Sequence, residues 1–390
     1  MPLARYRVID LTSVRSGPTC TRILADLGAE VIRVERPRQQ RERNFFDEAD
    51  LHRNKKSVVL DLQQPRGIEI LNALVSRADV VLENYRPDVK HRLGIDYETF
   101  ARANPRIIYA SISGFGQSGP YRDRAGYDQI IQGMSGIMSL TGTDGSGPLR
   151  VGIPIADLLA GYMAAMGILA ALLERASSGR GQWVETSLLA SLVGSLSFQA
   201  GRYLNLGEVP EPVGNHHPLV SPMGVFPAKD GVLNIAVGNE EMWARFCHAI
   251  ERRDLSDDRR FDSNAKRVEH RALLNQLLES VLATRTVSEW VERLNRAGVA
   301  CGPIYRLDEV FEDPQVAHLG LVHELAHPAW GVMRLLGLPV TLHRTPAKVT
   351  RPAPLAGEHT REVLERLGYP PPAIDGLVAE GVVREAQGTT

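Results

Sequence analysis

Apolar positions in the first third of the chain switch repeatedly between short continuous runs and helical spacing. Val8–Leu11 reads as a strand, Thr19–Leu27 as a helix stopped by Gly28, and Glu30–Glu35 as a second strand. Ser57–Leu62 alternates as a strand, Arg66–Arg77 has helical spacing, and Asp79–Glu83 is a further short strand. Tyr97–Asn104 is helical and leads into Arg106–Ser113, a strand rich in isoleucine. Strands separated by helices of this length predict an α/β fold with a Rossmann-like parallel sheet covered on both faces.

From Ile153 to Leu173 the chain is mostly apolar and near the length that spans a bilayer. Pro154 and Asp157 stand at one end, much of the run is Ala and Gly, and no second such stretch exists. A helix apolar all round also suits the centre of a large domain. The pattern therefore predicts a buried helix from near Asp157 to Ser178, with Gly179 as its stop. Gln182–Thr186 then reads as a strand and Leu188–Leu204 as a helix.

Around Leu206–Pro227 the texture changes to Gly, Pro, His and Asn, as in a linker or crossing segment. Val232–Val237 follows as a strand, Glu240–Ile250 as a helix, and Glu269–Ala283 and Val287–Ala297 as two charged helices. The tail, with a helix at Arg361–Leu367, reads as a return to the first domain. The expected organisation is a large domain over 1–205, a linker over 206–227, a small α+β domain over 228–321, and a linker with the return over 322–390.

Lys plus Arg number 45 against 46 Asp plus Glu, so no global charge draws the protein to nucleic acid or an anionic membrane. Any anion it binds must be met by locally placed basic residues. Cys20, Cys247 and Cys301 lie far apart and match no metal or disulfide spacing, which fits a reducing, cytoplasmic setting. The N-terminus lacks the apolar core of a secretory signal.

A strand–helix start invites a nicotinamide reading, which needs Gly-x-Gly-x-x-Gly at the first turn. That turn is Thr12-Ser-Val-Arg-Ser-Gly-Pro, with one glycine. A literal match at Gly114-Phe-Gly-Gln-Ser-Gly119 runs into Pro120 rather than a helix, so it reads as a glycine-rich loop. The segment Val151-Gly-Ile-Pro-Ile-Ala-Asp157 places a carboxylate in the first turn of an apolar helix. Spacing alone fits either an N-cap or a carboxylate nucleophile, ionised at neutral pH from a reference pKa of about 3.9. Arg15, Arg36, Asn84, Tyr85, Arg92, Arg122 and Arg124 follow predicted strands and so gather at one sheet edge, where ligands bind. His216-His217 lacks partners at metal-ligand spacing, and a structural or substrate-contact role suits it better.

These segments resemble the class III CoA-transferases, a group that includes formyl-CoA transferase, carnitine CoA-transferase and α-methylacyl-CoA racemase. The carriers are Val8-Ile-Asp-Leu-Thr, Leu27-Gly-Ala-Glu-Val-Ile-Arg-Val-Glu-Arg36, Asn54-Lys-Lys-Ser-Val-Val-Leu-Asp-Leu and Glu83-Asn-Tyr-Arg-Pro. Asn104-Pro-Arg-Ile-Ile-Tyr, Gly126-Tyr-Asp, Pro154-Ile-Ala-Asp157, Gly179-Arg-Gly-Gln and Leu355-Ala-Gly-Glu-His-Thr complete them in family order.

The resemblance implies that Asp157 is a nucleophile forming mixed-anhydride and thioester intermediates. It implies CoA contacts at Arg36, Leu60, Asn84, Tyr85, Arg92, Arg124 and Tyr127, acyl-CoA and carboxylic acids as substrates, and no permanently bound cofactor or metal. It also implies a homodimer of interlocked chains. Racemase members carry histidine where this chain has Tyr127, and a phenol is a poor base at neutral pH, so racemisation is disfavoured. Formyl-CoA transferase has glutamine at the position of Arg15; the arginine here suits the distal carboxylate of a dicarboxylic acid. Gly214-Asn-His-His-Pro, with His216 as a substrate contact, resembles a segment of the dicarboxylate-using members.

Overall fold

The computed structural model describes residues 1–37, 45–143 and 145–386. Two compact units divide the chain: residues 1–137, 151–201 and 319–390 form the first, and 138–150 with 202–318 the second.

The first unit is built on a seven-stranded sheet. Six strands run parallel: β1 (Arg7–Asp10), β2 (Glu30–Glu35), β3 (Lys56–Leu60), β4 (Val80–Glu83), β5 (Ile108–Ser113) and β6 (Trp183–Ser187). They lie in the order β3-β2-β1-β4-β5-β6, and the tail segment Val383–Arg384 adds an antiparallel edge beside β3. The tail thus ends against this sheet. Strand order reverses between β1 and β4, and the carboxyl ends of those two strands open a crevice.

Burial on both faces explains the apolar character of the strands. Val8, Val31, Val80 and Ile108 face the helices Ser16–Asp26 and Ile155–Ser178. Their neighbours Ile9, Ile32, Val81 and Tyr109 face the other way, onto Pro65–Val75, Thr360–Leu367 and Pro371–Ala379. The long helix Ile155–Ser178 lays a face of Ala156, Ala160, Ala164 and Ala171 against this core. It ends at Gly179, whose φ of 75° is the left-handed stop expected of a glycine. It is the one helix among the described residues long and apolar enough to cross a membrane, and half of its most apolar window is buried within the chain.

Two predicted boundaries shift for local reasons. The first helix starts at Ser16, one turn early, because Pro18 falls in the first turn where its missing N–H costs nothing. The expected Leu188–Leu204 helix is broken into Leu188–Gly194 and Ser197–Leu206. Ser195 Oγ donates to the Ser191 carbonyl at 2.8 Å, and Ser197 takes a φ of 51°. The helices Phe45–His52 and Asp128–Met134 and the hairpin Val322–His327/Gly331–Leu336 are structure that the pattern did not predict.

The second unit has a three-stranded antiparallel sheet, Met223–Pro227, Val232–Ala236 and Ala300–Pro303. Phe226, Leu233, Trp243, Phe246 and Trp290 form its core. Its first strand falls within the segment expected to be a linker.

Candidate active site

Asp10 and Glu83 end β1 and β4, and both are fully buried. Each accepts the backbone N–H two residues on: Thr12 to Asp10 at 3.0 Å, Tyr85 to Glu83 at 2.8 Å. Each is paired with a buried lysine, Lys55 at 3.0 Å and Lys90 at 3.1 Å. Burial opposes charge on Asp10, but Lys55 and the Thr12 and Thr21 hydroxyls outweigh it and hold the carboxyl below its ordinary range. The two loops so shaped are stitched together: Ser13 N–H donates to Asn84 Oδ1 at 3.0 Å, and Asn84 Nδ2 returns to the Ser13 carbonyl at 2.7 Å. Two anchored turns therefore meet across the crevice between β1 and β4.

Asp157 enters this crevice from the first turn of Ile155–Ser178. Of the two roles that spacing allowed, the N-cap is excluded. Pro154 holds the cap position, and the orphan N–H of Ala156 donates at 2.8 Å to Asp128 Oδ1, from another helix. Gln132 holds the other oxygen of Asp128 at 2.7 Å and receives Val151 N–H at 2.8 Å. With capping done by Asp128, the Asp157 carboxylate is released from that task.

Gly161, one turn on, sets the approach. A Cβ there would stand 2.7 Å from the Ser16 carbonyl oxygen, so only glycine lets the two helices cross this closely. The crossing brings Ser16 within hydrogen-bonding reach of Asp157 and Arg15 into its field. Burial and the neighbouring Asp128 charge push the Asp157 carboxyl up to about 6, against the pull of Arg15 and Ser16. The expectation of an ordinary aspartate is corrected: a helix terminus does not offset desolvation here.

The same cleft is lined by Asn84, Tyr85, Arg86, Arg122, Arg124 and Tyr127. Its floor needs two glycines, since a Cβ on Gly114 would lie 2.7 Å from Gly126 Cα, and the reverse. Gly114 to Gly119 is a loop with no helix behind it, as expected. Arg124 lies over the Tyr121 ring at 3.7 Å and Arg36 over the Tyr85 ring at 5.3 Å. Arg15 is paired with Asp47 at 2.7 Å.

Arg92 is exposed in the last turn of Pro87–Leu93 and does not line the cleft. Leu60 is enclosed in the apolar core, so its side chain offers no surface to a ligand. His216 belongs to the second unit, edge-on to Phe226 and 3.3 Å from Asn275, and burial holds its imidazole below the usual range. Sequence reasoning missed Ser16 and Asp128 as shapers of the site. The first follows Arg15 directly, and the second opens a helix with Gln132 one turn on, a pairing pattern that was there to be read.

The chain as a whole has known relatives. The model of CoA-transferase family III matches residues 3–360. The mouse succinyl-CoA:glutarate CoA-transferase is 37% identical over 98% of this chain and 91% of its own length. The succinate–glutarate CoA-transferase of Agrobacterium fabrum is also 37% identical, over 94% and 96%. A crystal structure of a CAIB/BAIF family protein from Brucella suis superposes with a TM-score of 0.82 at 34% identity, covering 94% of this chain and 99% of that one. The chain belongs to CoA-transferase family III. It is an enzyme of the CoA-transferase class, with relatives named for dicarboxylic acids.

Proposed function

We propose that this enzyme moves CoA between carboxylic acids through covalent intermediates on Asp157, with a dicarboxylate such as succinate or glutarate as one partner. The observation that carries the reading is a half-buried carboxylate at the sheet's switch point whose helix is capped by a different residue, Asp128. With a pKa of about 6, roughly nine in ten Asp157 side chains are ionised at pH 7. Raised basicity makes the ionised form the better nucleophile.

Asp157 attacks the donor thioester carbonyl, and collapse of the tetrahedral oxyanion breaks the C–S bond. The products are an aspartyl–acyl anhydride and CoA thiolate. Thiolate attacks the aspartyl carbonyl, expelling the donor acid as its carboxylate and leaving an aspartyl–CoA thioester. The acceptor carboxylate attacks that thioester carbonyl, regenerating thiolate and a new anhydride. Thiolate then takes the acceptor's acyl carbon, and free Asp157 returns. Thioester is exchanged for thioester, so the steps are near balance and need no metal. The reading assigns stabilisation of the oxyanions to backbone N–H groups around the cleft that Asp128 does not occupy.

Asn84, Tyr85, Arg124 and Tyr127 line the cleft and are suited to CoA, with Arg36 beside Tyr85. Arg15, near the nucleophile, suits the distal carboxylate of the acid. The reading includes a homodimer of interlocked chains, supported by the exposed apolar residues Tyr162, Met166 and Leu173 along one face of the long helix. Incubation with succinyl-CoA followed by hydroxylamine should trap Asp157 as its hydroxamate. Absence of the adduct, or turnover retained in Asp157→Ala, overturns the mechanism.

A further inference from the structure

The helix Phe45–His52 turns three carboxylates toward the body of the first unit. Glu48 meets Arg33 at 3.1 Å, and Asp50 meets Arg22 at 2.9 Å and Arg53 at 2.7 Å. Arg33 and Arg53 are buried, and Arg53 also holds Asp26 at 2.7 Å. Those pairs dock the helix. Asp47 differs: its partner is Arg15, in the loop that carries a positive field to Asp157. Arg15 directly precedes Ser16, which lines the cleft with Asp157, and a guanidinium there that already holds a carboxylate is a carboxylate receptor with an occupant.

We propose that Asp47 is a built-in competitor at Arg15, a specificity residue that the distal carboxylate of a dicarboxylic substrate displaces. The inference rests on the reading of Arg15 given above. The exchange is chemically even, one carboxylate for another on the same guanidinium. The Arg15 and Asp47 side chains are 27% and 38% exposed, so the pair is weak and Asp47 returns to water when displaced. A substrate carboxylate tethered to an acid seated at Asp157 arrives at high effective concentration and prevails. A monocarboxylic acid leaves the Asp47–Arg15 pair closed.

Asp47→Asn keeps an oxygen acceptor for Arg15 but removes the competing charge. The pairs of Glu48 and Asp50 remain to dock the helix, and an unchanged melting temperature checks that they do. The apparent KM for a substrate is multiplied by the inverse of the competent fraction, so freeing Arg15 should lower KM for succinate or glutarate about two- to fivefold. The kcat, and the KM for butyrate, should not move. An unchanged or raised KM for the dicarboxylates overturns the inference. Arg15→Gln separates this failure from that of the underlying reading. A dicarboxylate-selective rise in KM there, without the fall in Asp47→Asn, removes the competitor but keeps the receptor. Equal effects of Arg15→Gln on both acid classes remove both.

Discussion

At the scale of single residues, the electrostatics of Asp157 bear on stability and, in the proposed mechanism, on rate. Its carboxyl is raised from 3.8 to about 6 by burial and by Asp128, while Arg15 and Ser16 act the other way. In the proposed mechanism the ionised form is the nucleophile, so kcat/KM should fall tenfold per pH unit below an acid limb near 6. Asp128→Asn removes the repelling charge, and the limb should move to lower pH, as a rate profile would register. An unmoved limb would mean that another group sets it. The same shift opposes folding. With a folded pKa above the unfolded one, the native state holds the extra proton between about 4 and 6, so stability declines across that window and stays lower above it. Asp157→Asn should therefore abolish turnover yet stabilise the protein by about 1–3 kcal/mol at pH 8, seen as a raised melting temperature. Sequence alone located Asp157, because a carboxylate in an apolar run stands out. It did not reveal the raised pKa, because burial and the charge of Asp128, distant in sequence, are set by the fold.

Among the elements, the turns after β1 and β4 owe their shape to the buried pairs Asp10–Lys55 and Glu83–Lys90. Lys55→Met would strand Asp10 in a fully buried site and should cost about 3–5 kcal/mol in denaturant unfolding. Adding Asp10→Asn to that variant should recover part of the loss, since the uncompensated charge is then gone. If the double variant is no more stable than the single, the penalty lies in packing instead. Strands and most flanking helices of this unit were legible because apolar period and turn residues agree along them. The helix Phe45–His52 was not: Phe45, Phe46, Asp47, Glu48 and Asp50 give no clean apolar stripe, and ion pairs with distant arginines dock it. Gly161 was equally silent, since the need for glycine comes from the Ser16 carbonyl of another helix.

For the whole molecule, the long helix poses a question of coverage. It is apolar all round, which in sequence reads as a helix enclosed on every side. Within one chain the side carrying Ala160, Ala164, Ile168 and Leu172 is enclosed; Tyr162 is 42%, Met166 59% and Leu173 77% exposed, at positions that share another face. Side chains of this size in one stripe exceed the scattered apolar exposure usual for a monomer's surface. The proposed second copy supplies the missing cover, and the apolar surface it buries would drive association at about 25 cal/mol per Å². Met166→Glu combined with Leu173→Glu places two charges in that buried face without touching Asp157 or the cleft. Light scattering should then find the wild type as a dimer and the double variant as a monomer or a concentration-dependent mixture. A monomeric wild type, or a double variant that stays dimeric, would show that something other than a second copy covers this helix.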